Sequence, residues 1–189
     1  MPRNRPEIDR ARKIGDILRA AERRLQEGGY DALSVAAIAR ELNVAPNSIY
    51  WYFASKDELF VAAVEHLLHD IVARKPPGRR SLERRVLWFV EQLDELEPLR
   101  IGLYDRARSS PVVAELVSRL DDGSRQILSN ALSGEVAEEE REIATDALLA
   151  VIDGARLRGL RGQQRRRVIS YALRRFTRST ADARRRARP

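Results

Sequence analysis

Residues 34–60 read SVAAIARELNVAPNSIYWYFASKDELF, and two changes of pattern inside this stretch decide the fold. Val35, Ile38, Ala39 and Leu42 recur at the three-and-four spacing of one helix face, with Ser34 placed just before them as an N-cap. The stripe is short. Asn43, Val44 and Ala45 interrupt it, and Pro46 suits the first position of a new helix, where its missing N–H would have had no partner. That helix is expected to run to about Phe53. Ser55-Lys56-Asp57-Glu58 then fits a capping box, in which a serine oxygen takes the N3 amide and the N3 carboxylate reaches back to the N-cap amide, so a further helix must begin there. Four consecutive aromatics, Tyr50 to Phe53, lie between the two starts in a chain only 6% aromatic, so they need a specific cause.

Upstream, Ile14, Ile17, Leu18, Ala21 and Leu25 form one apolar stripe, and Gly28-Gly29 is a stop signal. Downstream, Leu59, Phe60, Ala63, Leu67 and Ile71 carry the fourth helix to about residue 74. The sequence KPPGRR then reads as a linker. Amphipathic stretches follow at 82–96, 99–107, 112–132, 135–159 and 163–179, punctuated by Pro98, Pro111 and Gly134. No β-alternating run of useful length is present. The expected fold is therefore all-α, about nine helices, with an N-terminal three-helix domain and a C-terminal helical domain. The expected boundaries are 1–54, a connecting fourth helix at 55–75, a helical domain at 76–180, and an Arg-rich tail at 181–189 without an apolar stripe, expected to be disordered.

The chain has 189 residues, enough to bury a core. No apolar run approaches the roughly 20 residues that cross a bilayer, and MPRNRPEIDRARK has no h-region of a signal peptide, so a cytoplasmic protein without a membrane partner is expected. Zero cysteines exclude disulfides and thiolate chemistry. The net charge of +7 is unevenly placed: Lys+Arg against Asp+Glu stands at 12 to 11 in residues 1–75, 10 to 16 in 76–155, and 13 to 1 in 156–189. Bulk basicity is thus no argument for nucleic-acid binding by the N-terminal part.

The pattern of elements is the argument. Two short helices joined by a three-residue turn, with a third helix packed in front, form a helix-turn-helix, whose last helix enters the DNA major groove. Ala45, Pro46, Asn47 and Ser48 give that helix a small N-terminal face able to approach base edges. Asn47 can pair with adenine N6 and N7. Ile49 and Phe53, four apart, point the same way as Val44 and are expected to be buried.

From about residue 9 to 70 the chain resembles the DNA-binding domain of the TetR family of bacterial transcriptional repressors. The resemblance rests on the ordered helix, Gly-Tyr turn, short helix, tight turn, Ile-Tyr-x-x-Phe and Lys-containing capping box in ILRAAERRLQEGGYDALSVAAIARELNVAPNSIYWYFASKDELF. It implies that Tyr50 and Tyr52 touch phosphates, that Lys56 binds a phosphate beside helix four, and that Ser34 does so at helix two. Ala45 stands where relatives often carry serine, which shifts the expected base reading onto Asn47. Trp51 either flanks the groove or covers the edge of helix three.

The same resemblance implies a homodimer on a palindromic operator and a small-molecule effector that lowers operator affinity. Trp88, Phe89, Leu93, Ile101, Tyr104, Leu116 and Leu120 are candidate effector-lining residues, Trp88 and Tyr104 because each joins apolar area to a donor. Ala147, Val151, Ala155, Ile169, Leu173 and Phe176 form stripes on the last two helices that suit either a dimer interface or the chain's own core. Arg106, Arg108 and Asp105 read as a solvated face or as groups that orient a polar ligand. An acidic run, Glu138 to Glu140, and a basic run, Arg165 to Arg167, lie on successive helices.

His66 and His69 share a helix face beside Glu65 and Asp70, but a dedicated metal site needs more converging ligands than this pair, so no metal or cofactor is expected. No nucleophile elbow, P-loop or dinucleotide fingerprint occurs, which argues against an enzyme. The alternatives that the residues leave open are an activator, a DNA-binding regulator answering to a protein, an enzyme or binding protein using the C-terminal cavity, and a tail that binds membrane or RNA.

Overall fold

A computed structural model of the chain describes residues 5–73 and 81–186. Nine α-helices lie among the described residues: α1 Arg5–Ala32, α2 Val35–Glu41, α3 Pro46–Tyr50, α4 Lys56–Ala73, α5 Leu82–Glu95, α6 Glu97–Ala107, α7 Pro111–Leu132, α8 Glu138–Leu157 and α9 Gly162–Arg186. The fold is all-α, as the periodicity implies. The expected KPPGRR linker lies outside the described residues. α9 continues to Arg186, so the first six residues of the tail expected to be disordered are helical, and the last three lie outside the described residues.

The helices divide into two compact units. One comprises residues 1–76 and 95–118, the other 77–94 and 119–189. α6 and the first turns of α7 thus group with the N-terminal helices, and not with the rest of the 76–180 region to which the sequence assigns them.

In the first unit Ile17, Leu18, Ala21 and Leu25 of α1 are buried together with Leu59, Phe60, Ala63 and Leu67 of α4. Both helices present the three-and-four apolar stripe that such packing needs. α6 lies against α1, and Gly102 permits the approach, since a Cβ there would stand 3.2 Å from Cβ of Tyr30. The second unit closes over Val86, Phe89 and Val90 of α5, Leu128 and Leu132 of α7, Leu148 and Ile152 of α8, and Ile169 and Leu173 of α9.

Two arginines of the basic run find carboxylate partners inside the second unit, on a helix other than that of the acidic run. Arg165 and Arg166 of α9 bind Asp94 and Glu91 of α5, while Glu138 binds Arg141 one turn along its own helix. The α5 carboxylates lie across the α9 surface. An acidic run at the first turn of α8 serves the helix dipole instead.

α1 breaks where the double glycine predicts. Gly28 and Gly29 leave helical geometry, and Gly29 takes φ 65°, ψ −156°, a region open essentially to glycine alone. The break sends the chain back through Tyr30 towards α2. Gly29→Ala is expected to lower the unfolding free energy by about 1–3 kcal/mol in urea denaturation, the range for a side chain forced into such geometry.

Candidate nucleic-acid interface

The short helix α3 is held from below and open above. Ile49 is fully buried and Phe53 nearly so, as their spacing predicts, and they anchor the segment to the first unit's core. Val44 does not share that face: it is 43% exposed, because Asn43 enters the left-handed region at φ 54° and turns the chain before α3 begins. The helix is also shorter than expected. It ends at Tyr50, and Tyr52 and Phe53 both direct their amides to the Ile49 carbonyl in a closing turn.

Local bonds fix both entrances. The Ser34 hydroxyl accepts from the Ala37 amide at 3.3 Å and so caps α2. Asn43 and Val44 return amides to the carbonyls of Arg40 and Ala39, which makes the turn tight. Ala45 occupies the N-cap of α3 with no side-chain cap, and Pro46 stands at its first turn. At α4, the Glu58 amide donates to the Ser55 hydroxyl at 3.1 Å, as the capping box requires. Its reciprocal bond is displaced by one residue, since Glu58 accepts from the Ala54 amide at 2.8 Å and not from that of Ser55.

What this leaves on the surface is a continuous polar and aromatic face. Ala45, Pro46, Asn47, Ser48, Tyr50 and Trp51 are exposed, with Ser34 exposed at the start of α2 and Tyr52 half-buried. Trp51 is 71% exposed, sits edge-on to the Tyr52 ring at 4.8 Å, and has the Arg10 guanidinium 5.5 Å from its centroid. It therefore covers no core. Arg10 joins this face from α1, a residue the sequence gives no reason to single out among the N-terminal charges.

At the start of α4, Lys56 places its ammonium 4.1 Å from the Tyr30 ring centroid. The Tyr30 hydroxyl donates to Asp57 at 2.5 Å, and Arg106 of α6 clasps the same carboxylate with Nε at 2.8 Å and Nη2 at 2.7 Å. The Arg106 hydrogen bonds hold Asp57 well below the usual carboxylate range against the opposing effect of burial, aided by Tyr30 and Ser110. Burial, then the bond to Asp57, pushes the Tyr30 phenol up to about 12. Arg23 and Arg24 of α1 meet at Glu41, tying α1 to the end of α2. Arg106 thus clamps α6 to the start of α4.

The other candidate residues are scattered. Phe89 is in the core of the second unit with Trp88 packed against it, and Leu120 is half-buried there. Leu116 is buried in the first unit, whereas Ile101 and Tyr104, also there, are 73% and 47% exposed. The Leu93 side chain lies outside the described residues. Two clefts open in the second unit. One, of about 290 Å³, is lined by Ser81, Leu82, Glu135, Ser170, Leu173 and Arg174 among others, and a smaller one lies beside Arg165 and Asp94; neither includes Trp88 or Phe89.

Of the residues expected at a dimer interface, Ala155, Ile169 and Leu173 are buried within the unit's own core, and Val151 and Phe176 pack against it. Ala147 is half-buried, and among the described residues the large apolar side chains exposed on α8 and α9 are Ile143, Leu157, Val168 and Tyr171.

Two short helices at a tight turn, the second anchored by one apolar face and open on the other, define a helix-turn-helix DNA-binding module. Residues 17–63 match the family described as "Bacterial regulatory proteins, tetR family". The chain is 40% identical over 95 residues to the HTH-type transcriptional repressor KstR of Rhodococcus jostii (strain RHA1), a match covering 48% of this chain and 45% of that protein. The chain therefore spans less than half the length of that relative. Its fold is shared with a transcriptional regulator from Rhodococcus sp. Rha1, at a TM-score of 0.72 and 21% identity over 88% of this chain and 96% of the other. It is shared also with BioQ, solved with its double-stranded DNA operator, at a TM-score of 0.60 and 19% identity over 87% and 97%. Over residues 17–63 the chain is thus similar to the helix-turn-helix domain of TetR-family regulators, and its fold is shared with solved transcriptional regulators.

The Asp57 clamp has a defined pH signature. A carboxyl whose folded pKa is depressed contributes stability that is complete above its unfolded pKa of about 4 and is lost as pH falls through the folded value. Asp57→Asn is expected to cost about 1.5–3 kcal/mol at pH 7, the range for hydrogen bonds to charged groups. It should also flatten the loss of stability below pH 4. Urea unfolding of both proteins at pH 7 and pH 3 measures this, and an unchanged acid limb would assign the acid sensitivity to other carboxylates.

Proposed function

We propose that the chain is a transcriptional repressor that binds a palindromic operator as a homodimer and releases it when a small molecule binds. The observation that carries the reading is the exposed Asn47, Ser48, Tyr50 and Trp51 face on a helix whose opposite side, Ile49, is fully buried. A rigidly seated, outward-facing amide of this kind can donate to adenine N7 and accept from N6, while Tyr50, Tyr52, Ser34 and Lys56 fix register on phosphates. Arg10 and Trp51 extend the same face towards the neighbouring backbone. With 12 basic residues against 11 acidic ones in residues 1–75, binding rests on placed groups more than on net charge.

Dimerisation would set two recognition helices about 34–36 Å apart, one turn of DNA. The face we assign to it is Ile143 and Leu157 on α8 with Val168 and Tyr171 on α9. Ile143 and Leu157 are fourteen residues apart, close to four helical turns, so they share one side. Between them Gly154 has nothing within 4 Å of where a Cβ would stand, which leaves room for an approaching helix. The release step would act on α4: Asp57, at its start, is bonded to α6, so a ligand that displaces α6 pulls on the helix that follows the recognition segment. A cytoplasmic setting follows from a partner that is operator DNA.

Asn47→Ala is expected to weaken operator binding by about 1–3 kcal/mol and to relax preference at one base position, read in a gel-shift series with base-substituted operators. Retention of full affinity and preference would remove Asn47 from the reading face. Ile143→Glu combined with Leu157→Glu should shift the sedimenting species from dimer to monomer while the helical circular dichroism is kept. A dimer of undiminished stability would exclude this face.

A further inference from the structure

We propose that Glu22, His66 and Asp70 form a binding site for a divalent transition-metal ion of the zinc class, joining α1 to α4. His66 and Asp70 are four residues apart on α4 and so project from one side of it. Glu22 faces them from α1, with its Oε1 2.5 Å from His66 Nδ1. One donor atom from each of the three residues falls within 4.8 Å of the other two.

The surroundings favour a bound cation over a surface pair. Glu22 is 13% exposed and His66 34%, set into a seam whose flanking residues, Leu18, Ala21 and Leu25 on α1 and Ala63 and Leu67 on α4, are buried. A carboxylate in that position needs a donor or a cation beside it, and His66 Nδ1 stands 2.5 Å from one of its oxygens. A divalent ion would take an oxygen from each of Glu22 and Asp70 together with the imidazole nitrogen.

Geometry and donor type select the ion. One imidazole nitrogen with two carboxylate oxygens, and no thiolate in the chain, is a mixed nitrogen and oxygen set suited to Zn²⁺, and poorly suited to Mg²⁺, which prefers oxygen and keeps its waters. Bonds of about 2.0–2.1 Å in a tetrahedron put neighbouring ligand atoms about 3.3 Å apart. Glu22 and His66 must therefore part by less than about 1 Å, and the exposed Asp70 side chain must swing inwards. The exposed side of the cluster leaves a fourth position for water. His69, three residues from His66 and exposed, is outside the cluster.

Chelator-treated full-length protein titrated with ZnCl₂ by calorimetry, in the presence of millimolar MgCl₂, tests the site without any DNA. One ion per chain is expected, with a rise in melting temperature. Glu22→Gln and His66→Gln should each weaken binding at least about tenfold, while His69→Gln leaves it within about twofold. Should Glu22→Gln fail to fold, as judged by circular dichroism, Asp70→Asn on the exposed side takes its place with the same expected loss. Absence of saturable one-to-one binding, equal losses for His66→Gln and His69→Gln, or binding indifferent to the carboxylate variant would each overturn the site.

Discussion

The first unit turns on one carboxylate. Asp57 lies in the first turn of α4, directly after the recognition segment, and is gripped by the guanidinium of Arg106 and the hydroxyl of Tyr30. Three elements meet there: the end of α1 beyond its glycine break, the start of α4, and α6. Asp57 is buried, and a buried carboxylate without partners would be costly enough to reorganise its surroundings. With three donors it instead defines a single arrangement. Tyr30 is shared further, since its ring packs edge-on against Phe60 at 5.1 Å and takes the cations of Lys56 and Arg106 at its face. The position of α4 is thus determined by polar geometry as well as by apolar area.

That division of labour explains how so small a helix as α3 can be rigid. Five residues are too few to hold a helix by themselves, because nucleation costs more than one turn of bonds returns. Ile49 and Phe53 supply the seat, the left-handed Asn43 sets the angle of entry, and the Ser55 cap starts α4 immediately after the exit. The exposed side is then free to carry residues that contribute little to folding. Asn47, Ser48 and Trp51 are tolerable there because the opposite side has already secured the backbone.

The sequence made the helices legible because each carries its own period and its own stop: Ser34, Pro46, Ser55 and the double glycine are local signals read within a few residues. Partners are another matter. The stripes of α8 and α9 are plain in the sequence, but a stripe does not say what covers it, and Ile169 and Leu173 are covered by their own unit. Asp57 was readable only as a member of a capping motif, because its tie to Arg106 spans 49 residues and no spacing rule reaches that far. Arg165 likewise pairs with an α5 carboxylate and not with the acidic run on the preceding helix. Val44 fails for a smaller reason: helical spacing cannot be carried across a residue with positive φ.

The charge of the molecule follows the same logic. In the first unit several cations are spent internally: Arg23 and Arg24 on Glu41, Arg106 on Asp57, Arg19 on Asp16. A module whose cations are committed to its own carboxylates presents a weaker positive field at long range, and salt screens what remains. On the DNA-binding face proposed above, selectivity would then come from short-range geometry, from hydroxyls, an amide and a few placed cations that match only when the helix sits correctly. The clamps that consume the charge are the same bonds that hold the helix in place, so the loss of steering and the gain in alignment have one cause.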